Sequence, residues 1–236
     1  MLHVAVARIP DAPALGGDGA PGWMGESERR RWAGLSPAAR RGFAASRALL
    51  RDLLGAATGV AQGDWDVSAE PGTAPVARTP RADVASGAIR ASLSHRLGWV
   101  AAAVSRQSVG VDIECDRAAR ADPDERAALM LSAAELPAWR ALARDARESA
   151  LLTCWTAKEA WFKASPAGAA AWDFRQVVAR ACPPELANVR VWESPPLHVA
   201  VCSADAVELG RVECEGVDTA AATSSYWHVA RAAVAV

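Results

Sequence analysis

The chain has 236 residues with 26 Lys+Arg against 27 Asp+Glu, a formal charge of −1 and 51% hydrophobic residues, which excludes bulk electrostatic attraction to nucleic acid or anionic membrane. No apolar run approaches the roughly 20 residues of a membrane span, and the opening MLHVAVARIP lacks the basic-then-apolar order of a secretion signal, so a cytoplasmic chain is expected. Five cysteines (115, 154, 182, 202 and 214) without a CxxC pair exclude a disulfide framework or zinc knuckle and read as reduced, mostly buried thiols.

In chain order, Met1 to Ile9 alternates and predicts a strand, followed by a Gly/Pro/Asp loop to Gly25. Glu26 to about Leu54 predicts two helices broken at Gly34–Pro37, with Ser36 as N-cap and Pro37 in the first turn of the second, which carries Arg40, Arg41, Arg47 and Arg51. Residues 63–86 read as loop with short strands. Ser92 to Ser105 and Gln107 to Glu114 predict an antiparallel pair turning at Ser105-Arg106-Gln107. Arg126 to about Ala164 predicts helices with a break near Pro137, and strands recur at 189–192, 197–202 and 226–235. The order implies an α+β fold of two comparable halves meeting near residues 105–115.

Four segments could carry chemistry. In Val109-Gly110-Val111-Asp112-Ile113-Glu114, strand alternation buries 109, 111 and 113 and turns Asp112 and Glu114 to the other face, above the space left by Gly110. Two carboxylates on one face are tolerable when solvated at a strand terminus, or when a hard divalent cation such as Mg²⁺ lies between them. In Trp155-Thr156-Ala157-Lys158-Glu159-Ala160-Trp161-Phe162-Lys163, Glu159 and Lys163 stack four residues apart on one helical face, with Lys158 about 100° away. That pair is either a surface ion pair or, given the surrounding aromatics, a charged cleft wall. Ser92-Leu93-Ser94-His95 enters a strand; Ser94 and His95 are packed residues or phosphate donors. Arg29, Arg30 and Arg31, with the helix arginines, form a solvated face or a polyphosphate pocket.

Taken in order, SRALLR (46–51), SLSHRLGWVAAAV (92–104), VGVDIE (109–114) and WTAKEAWFKA (155–164) resemble the Sfp-type 4′-phosphopantetheinyl transferases, which prime carrier proteins with the coenzyme A arm. The resemblance spans roughly residues 26–175. It implies two similar α/β subdomains arranged as a pseudo-dimer, 1–106 and 107–236, with the active site in the cleft between them and a monomer as the working unit. It implies Mg²⁺ held by Asp112, Glu114 and Glu159, and coenzyme A phosphates held by Lys158, Lys163, His95, Ser94 and Arg47, with one or more of Arg29 to Arg31 at the 3′-phosphate. Glu159 and Lys163, with Asp112, would be catalytic; an acyl or peptidyl carrier protein would be the partner, with Leu129 and Met130 as candidate contacts. Two motifs depart from the pattern. The G-K-P adenine loop reads Gly72-Thr73-Ala74-Pro75, keeping Pro75 but not the lysine, with Arg78 or Arg81 as substitutes; a G-x-G-L loop is replaced by Ser165 to Ala170. The rival readings are a non-catalytic coenzyme A or nucleotide-binding module and a divalent-metal phosphodiesterase.

Overall fold

The computed structural model describes residues 2–10, 19–81, 89–116, 122–165 and 173–232. In chain order the elements are β1 (His3–Arg8), α1 (Glu26–Ala33), α2 (Pro37–Thr58), β2 (Asp66–Val67), β3 (Ala77–Arg78), β4 (Arg90–Arg96), β5 (Trp99–Ser105) and β6 (Val109–Cys115). They continue with α3 (Pro123–Met130), α4 (Leu136–Arg140), α5 (Arg147–Ala164), β7 (Val177–Ala181), β8 (Val189–Ser194), β9 (Leu197–Ser203), α6 (Ala206–Arg211), β10 (Cys214–Glu215) and β11 (Thr223–Arg231). The fold is α+β, as expected.

Two antiparallel-based sheets form the centre, in the orders β10-β1-β5-β4 and β6-β9-β8-β11-β7; β2 and β3 make a separate ribbon. Alternation along the strands dictates the layering. On the first sheet Ala5, Ala91, Ala102 and Val104 face α2, meeting Leu50, Leu53 and Leu54. Val4, Val6, Ala101 and Ala103 point the opposite way and pack on Val109, Val111, Ile113, Val199 and Val201 of the second sheet. The far face of that sheet, through Val191, Ala200 and Cys202, receives Leu151, Cys154, Ala157 and Ala160 of α5. Helix, sheet, sheet and helix therefore stack in that order, and each fully buried Val, Leu or Ile between them contributes about 1.5–3 kcal/mol. The parallel pairing of β10 with β1 (Val4 opposite Cys214) brings a C-terminal segment into the first sheet.

The start of α2 forms as its sequence dictates: the Ser36 hydroxyl accepts the Ala39 N–H, and Pro37 opens the first turn. Pro137 likewise sits in the first turn of α4 rather than breaking a longer helix. One expected pairing is corrected. The segment 92–105 is itself a hairpin, β4 with β5, while β6 pairs with β9 in the other sheet. Its two-residue turn, Leu97-Gly98, has φ of 43° and 84°, the left-handed pair that suits strand twist and is usually filled by Asn-Gly. A leucine there gives no turn signal.

β4 and β6 are the edges at which the two sheets meet, and β4 side chains substitute for a ladder. The Ser92 hydroxyl accepts the Val111 N–H at 3.0 Å, so this buried donor on an edge strand is satisfied. Among the described residues no helix is long and apolar enough to cross a membrane.

Candidate active site

Gly110 explains how the motif strand and motif helix come together. A Cβ at Gly110 would lie 2.0 Å from the Ala160 carbonyl oxygen and 2.6 Å from the Ala164 nitrogen. Only glycine lets the α5 backbone approach β6 this closely. The consequence is that Lys163 Nζ reaches Asp112 Oδ1 at 2.7 Å and donates to the Val111 carbonyl at 3.2 Å.

Asp112 is buried in mid-strand. Its Oδ1 also accepts the Ser94 hydroxyl at 2.8 Å, whereas Oδ2 is buried and has no hydrogen-bond partner among the described residues. Glu114, next along the same face, pairs with Arg96 Nε at 2.8 Å. Glu159 comes from α5 into the same field: burial, then the Asp112 and Glu114 charges, push its pKa up to about 7, with Lys163 opposing. Three carboxylates thus share one electrostatic site. As they stand, no three described His, Cys, Asp or Glu side chains are drawn into a metal-holding cluster, because Lys163 holds Asp112 and Arg96 holds Glu114. The orphaned oxygen of Asp112 and the mutual repulsion of the three acids nevertheless fit a hard divalent cation.

Glu159 and Lys163 wall a cavity of about 570 Å³ whose opposite side is Arg31, Arg47 and the loop Gly72 to Pro75, with Phe162 and Ser92 between. Arg31, Arg47 and Leu93 also border a second hollow of about 430 Å³, which holds Arg41, Phe43 and His95. The two hollows form one cleft with a cationic side and an acidic side. The arginines are oriented by neutral anchors: Arg31 donates to the Ala69 carbonyl and Arg47 to the Ser68 carbonyl, each at 2.9 Å, and Arg47 lies 5.1 Å over the Phe43 ring. Burial, with Arg31 and Arg51 nearby and Glu28 opposing, lowers Arg47 to about 10, so it stays cationic at neutral pH. His95 is exposed at the rim. Partial desolvation, then Lys163, Arg96 and Arg31, lower its pKa.

Of the expected site residues, Glu159, Lys163, Arg31, Arg47, His95 and Pro75 line this cleft, while Asp112 and Glu114 lie behind it, paired with Lys163 and Arg96. Ser94 is there too, but its hydroxyl serves Asp112. Lys158 is not: it is fully buried on another side of α5 and donates to Glu135 Oε2 (2.6 Å), Met130 O (3.0 Å) and Phe174 O (3.2 Å). The 100° between neighbouring helical positions accounts for that divergence from Glu159. Arg29 donates to the Gly22 carbonyl and Arg30 pairs with Glu26, leaving Arg31 as the member of its run that faces the cleft. Arg78 and Arg81 are not among the cavity walls; residues 166–170 of the substituted loop lie outside the described residues. Leu129 is 69% exposed, whereas Met130 packs on the core under α5.

Sequence reasoning missed Arg96 and Ser92. The signal was available as Ser92-x-Ser94-x-Arg96, three polar residues at strand period on the face of β4 that meets β6.

Residues 108–203 match the family model of the 4′-phosphopantetheinyl transferase superfamily, a stretch that contains β6, α5 and β9. The match supports a transferase that uses coenzyme A for phosphopantetheine transfer in general. No curated protein gives a significant match to the chain.

Proposed function

We propose that this chain is an Sfp-type enzyme that transfers the 4′-phosphopantetheine arm of coenzyme A to a serine of an acyl or peptidyl carrier protein, releasing 3′,5′-ADP. The observation that carries the reading is the cleft itself, with Arg31, Arg47, Glu159 and Lys163 on its walls and the buried Asp112 behind them, bonded to Lys163. The halves 1–106 and 107–236 would be its two subdomains.

Arg31, Arg47 and His95 bind phosphate oxygens of coenzyme A, and their carbonyl-anchored guanidinium groups keep charge free for the ligand. Asp112, Glu114 and Glu159 would hold Mg²⁺, which supplies charge neutralisation at the diphosphate. Glu159 accepts the proton of the attacking serine. The serine oxygen forms a bond to the phosphorus bearing the pantetheine arm while the bond to the 3′,5′-ADP oxygen breaks. Lys163, one helical turn away, stabilises the negative charge left on that oxygen. Leu129, open on α3, is an apolar contact for the carrier's helix. The enzyme would act as a cytoplasmic monomer.

Mass spectrometry of a carrier incubated with this chain, coenzyme A and Mg²⁺ tests the reading. Addition of the phosphopantetheine mass is the expected result. Coenzyme consumption with an unmodified carrier would indicate a phosphodiesterase instead, and neither event would indicate a binding module.

A further inference from the structure

His198 is a buried titratable group that the proposed reaction does not use, and its surroundings are specific. It lies on β9 directly opposite Glu114 of β6, so the two side chains leave the sheet on the same face. The ring is almost completely buried, and both its nitrogens are engaged. Nε2 is 2.9 Å from Asp116 Oδ1, at the end of β6, and Nδ1 is 3.2 Å from Thr153 Oγ1, on α5. With its proton on Nε2 the ring donates to Asp116 and accepts the Thr153 hydroxyl. Asp116 is itself fixed by its backbone N–H, which donates to the Pro196 carbonyl at 2.7 Å.

We propose that His198 is a positioning residue that sets the spacing between the Asp112/Glu114 strand and the Glu159/Lys163 helix by tying Asp116 to Thr153. The inference rests on the reading of those acids as the cation-holding set. α5 packs along β6, and two of its contacts lie at opposite ends of the acidic stretch. At one, Gly110 permits backbone contact with Ala160 and Ala164. At the other, seven residues back along the helix and about 10 Å away at 1.5 Å per residue, Thr153 is held through His198. Asp112 and Glu114 lie between the two, and Glu159 projects from the helix between them. Core packing and the Lys163 bonds to Asp112 and Val111 hold the helix on the sheet near Gly110; the His198 tie adds a buried polar anchor at the Thr153 end, which fixes how Glu159 is presented to the strand carboxylates. Residues that hydrogen-bond a ligand from behind typically change cation affinity by about 10–100-fold when removed, and His198, which acts through the placement of strand and helix rather than on a ligand, is expected at the lower end of that range.

The test uses Mn²⁺ as a paramagnetic probe of the whole chain, with free Mn²⁺ measured by electron paramagnetic resonance in the presence of coenzyme A, alongside kinetics of carrier priming. Thr153→Val removes one end of the tie, His198→Ala removes the middle, and His198→Asn retains a donor or acceptor near Nδ1. Thr153→Val and His198→Ala are expected to weaken Mn²⁺ binding about tenfold while KM for coenzyme A changes less than about twofold, and His198→Asn to recover part of the loss. A merely structural role would lower the melting temperature without moving the Mn²⁺ midpoint of the folded protein. If His198→Ala does not fold, Thr153→Val decides. Unchanged Mn²⁺ binding in the folded variants, against clear binding by the parent, overturns the proposal alone; absence of Mn²⁺ binding by the parent overturns the functional reading and this inference with it.

Discussion

α2 and α5 each lie across one sheet, and each carries a fully buried cation and a cation on the wall of the larger, 570 Å³ hollow: Arg51 and Arg47 on the first helix, Lys158 and Lys163 on the second. The buried pair anchors architecture in both cases. Arg51 grips Glu28 through both carboxylate oxygens (2.8 and 2.6 Å), and Lys158 bonds Glu135 at 2.6 Å. The cleft cations differ in what holds them. Arg47 rests on a neutral carbonyl and keeps its charge for a ligand, whereas Lys163 rests on the Asp112 carboxylate and the two charges offset each other. One half thus presents uncommitted positive charge; the other presents acids already paired, which a ligand must engage by exchanging partners.

The strongest way to break that contrast is to remove the acid. Asp112→Ala is expected to lower carrier priming by about 10²–10³-fold, comparable to loss of a preorganised group aimed at a transition state. Coenzyme A binding should survive, because the arginine wall is untouched. The priming assay and a calorimetric titration with coenzyme A check the two statements, and a melt checks that the variant is folded. Substantial priming by a folded Asp112→Ala protein would remove the acidic wall from the mechanism.

The buried pairs sharpen the contrast next. Breaking a buried ion pair typically costs about 3–5 kcal/mol, because the partner is left charged and dry. Among the described residues, Glu28 would retain only the Gly25 N–H (3.0 Å) after Arg51→Met. Glu135 would retain the Ser132 N–H and hydroxyl, the Ala179 N–H and the Cys154 thiol after Lys158→Met. Arg51→Met should therefore fall at the upper end of that range and Lys158→Met at the lower, as measured by urea unfolding. The reverse order would mean that Glu135's extra donors do little once the ammonium is gone.

Lys158 also marks the limit of what the sequence made legible. Its place in a recognisable motif pointed to the cleft, and the geometry of a helix turned it to the core; the deciding partner, Glu135, comes from a loop whose approach no local pattern announces. Asp112, Glu114, Glu159 and Lys163 were readable because their placement depends on short-range period alone, 2 along a strand and 3.6 along a helix. The capped start of α2 was readable for the same reason. The β4–β5 hairpin was not, since Leu97 adopts a left-handed turn conformation for which leucine carries no signal. β10 is two residues long and joins a strand at the other end of the chain, so its pairing is a tertiary fact throughout. Gly110 was read as leaving space; the structure fills that space with the helix backbone.

The crowding of the acids makes a pH prediction for the metal-free protein. Burial and the neighbouring carboxylates raise Glu159 from an ordinary 4.5 to about 7, so between those values the folded chain holds a proton that the unfolded chain has released. Its contribution to stability is fully present below pH 4.5 and is lost as pH rises through 7. The amount is on the order of 1–3 kcal/mol. Unfolding free energies of parent and Glu159→Gln protein, taken in chelator from pH 5 to 8, should diverge in that sense, the variant losing less stability toward pH 8. Parallel curves would mean that Lys163 already neutralises the acidic wall.

The cationic wall answers to the smallest change. Arg47→Ala removes a guanidinium whose anchor is a carbonyl, so no buried acid is stranded and folding should be little disturbed. What is lost is a charge-assisted contact to phosphate, about 1.5–3 kcal/mol, which raises KM for coenzyme A by about tenfold or more. Arg29→Ala is the control from the same basic set, because Arg29 reaches the Gly22 carbonyl on the exposed side of α1 and does not border the cleft. KM should separate the two variants and kcat should move much less. Equal effects at 29 and 47 would mean that long-range field, rather than contact within the cleft, accounts for the attraction of coenzyme A; raising the salt concentration would then erase both, since exposed charges more than about 8–10 Å from a ligand are largely screened.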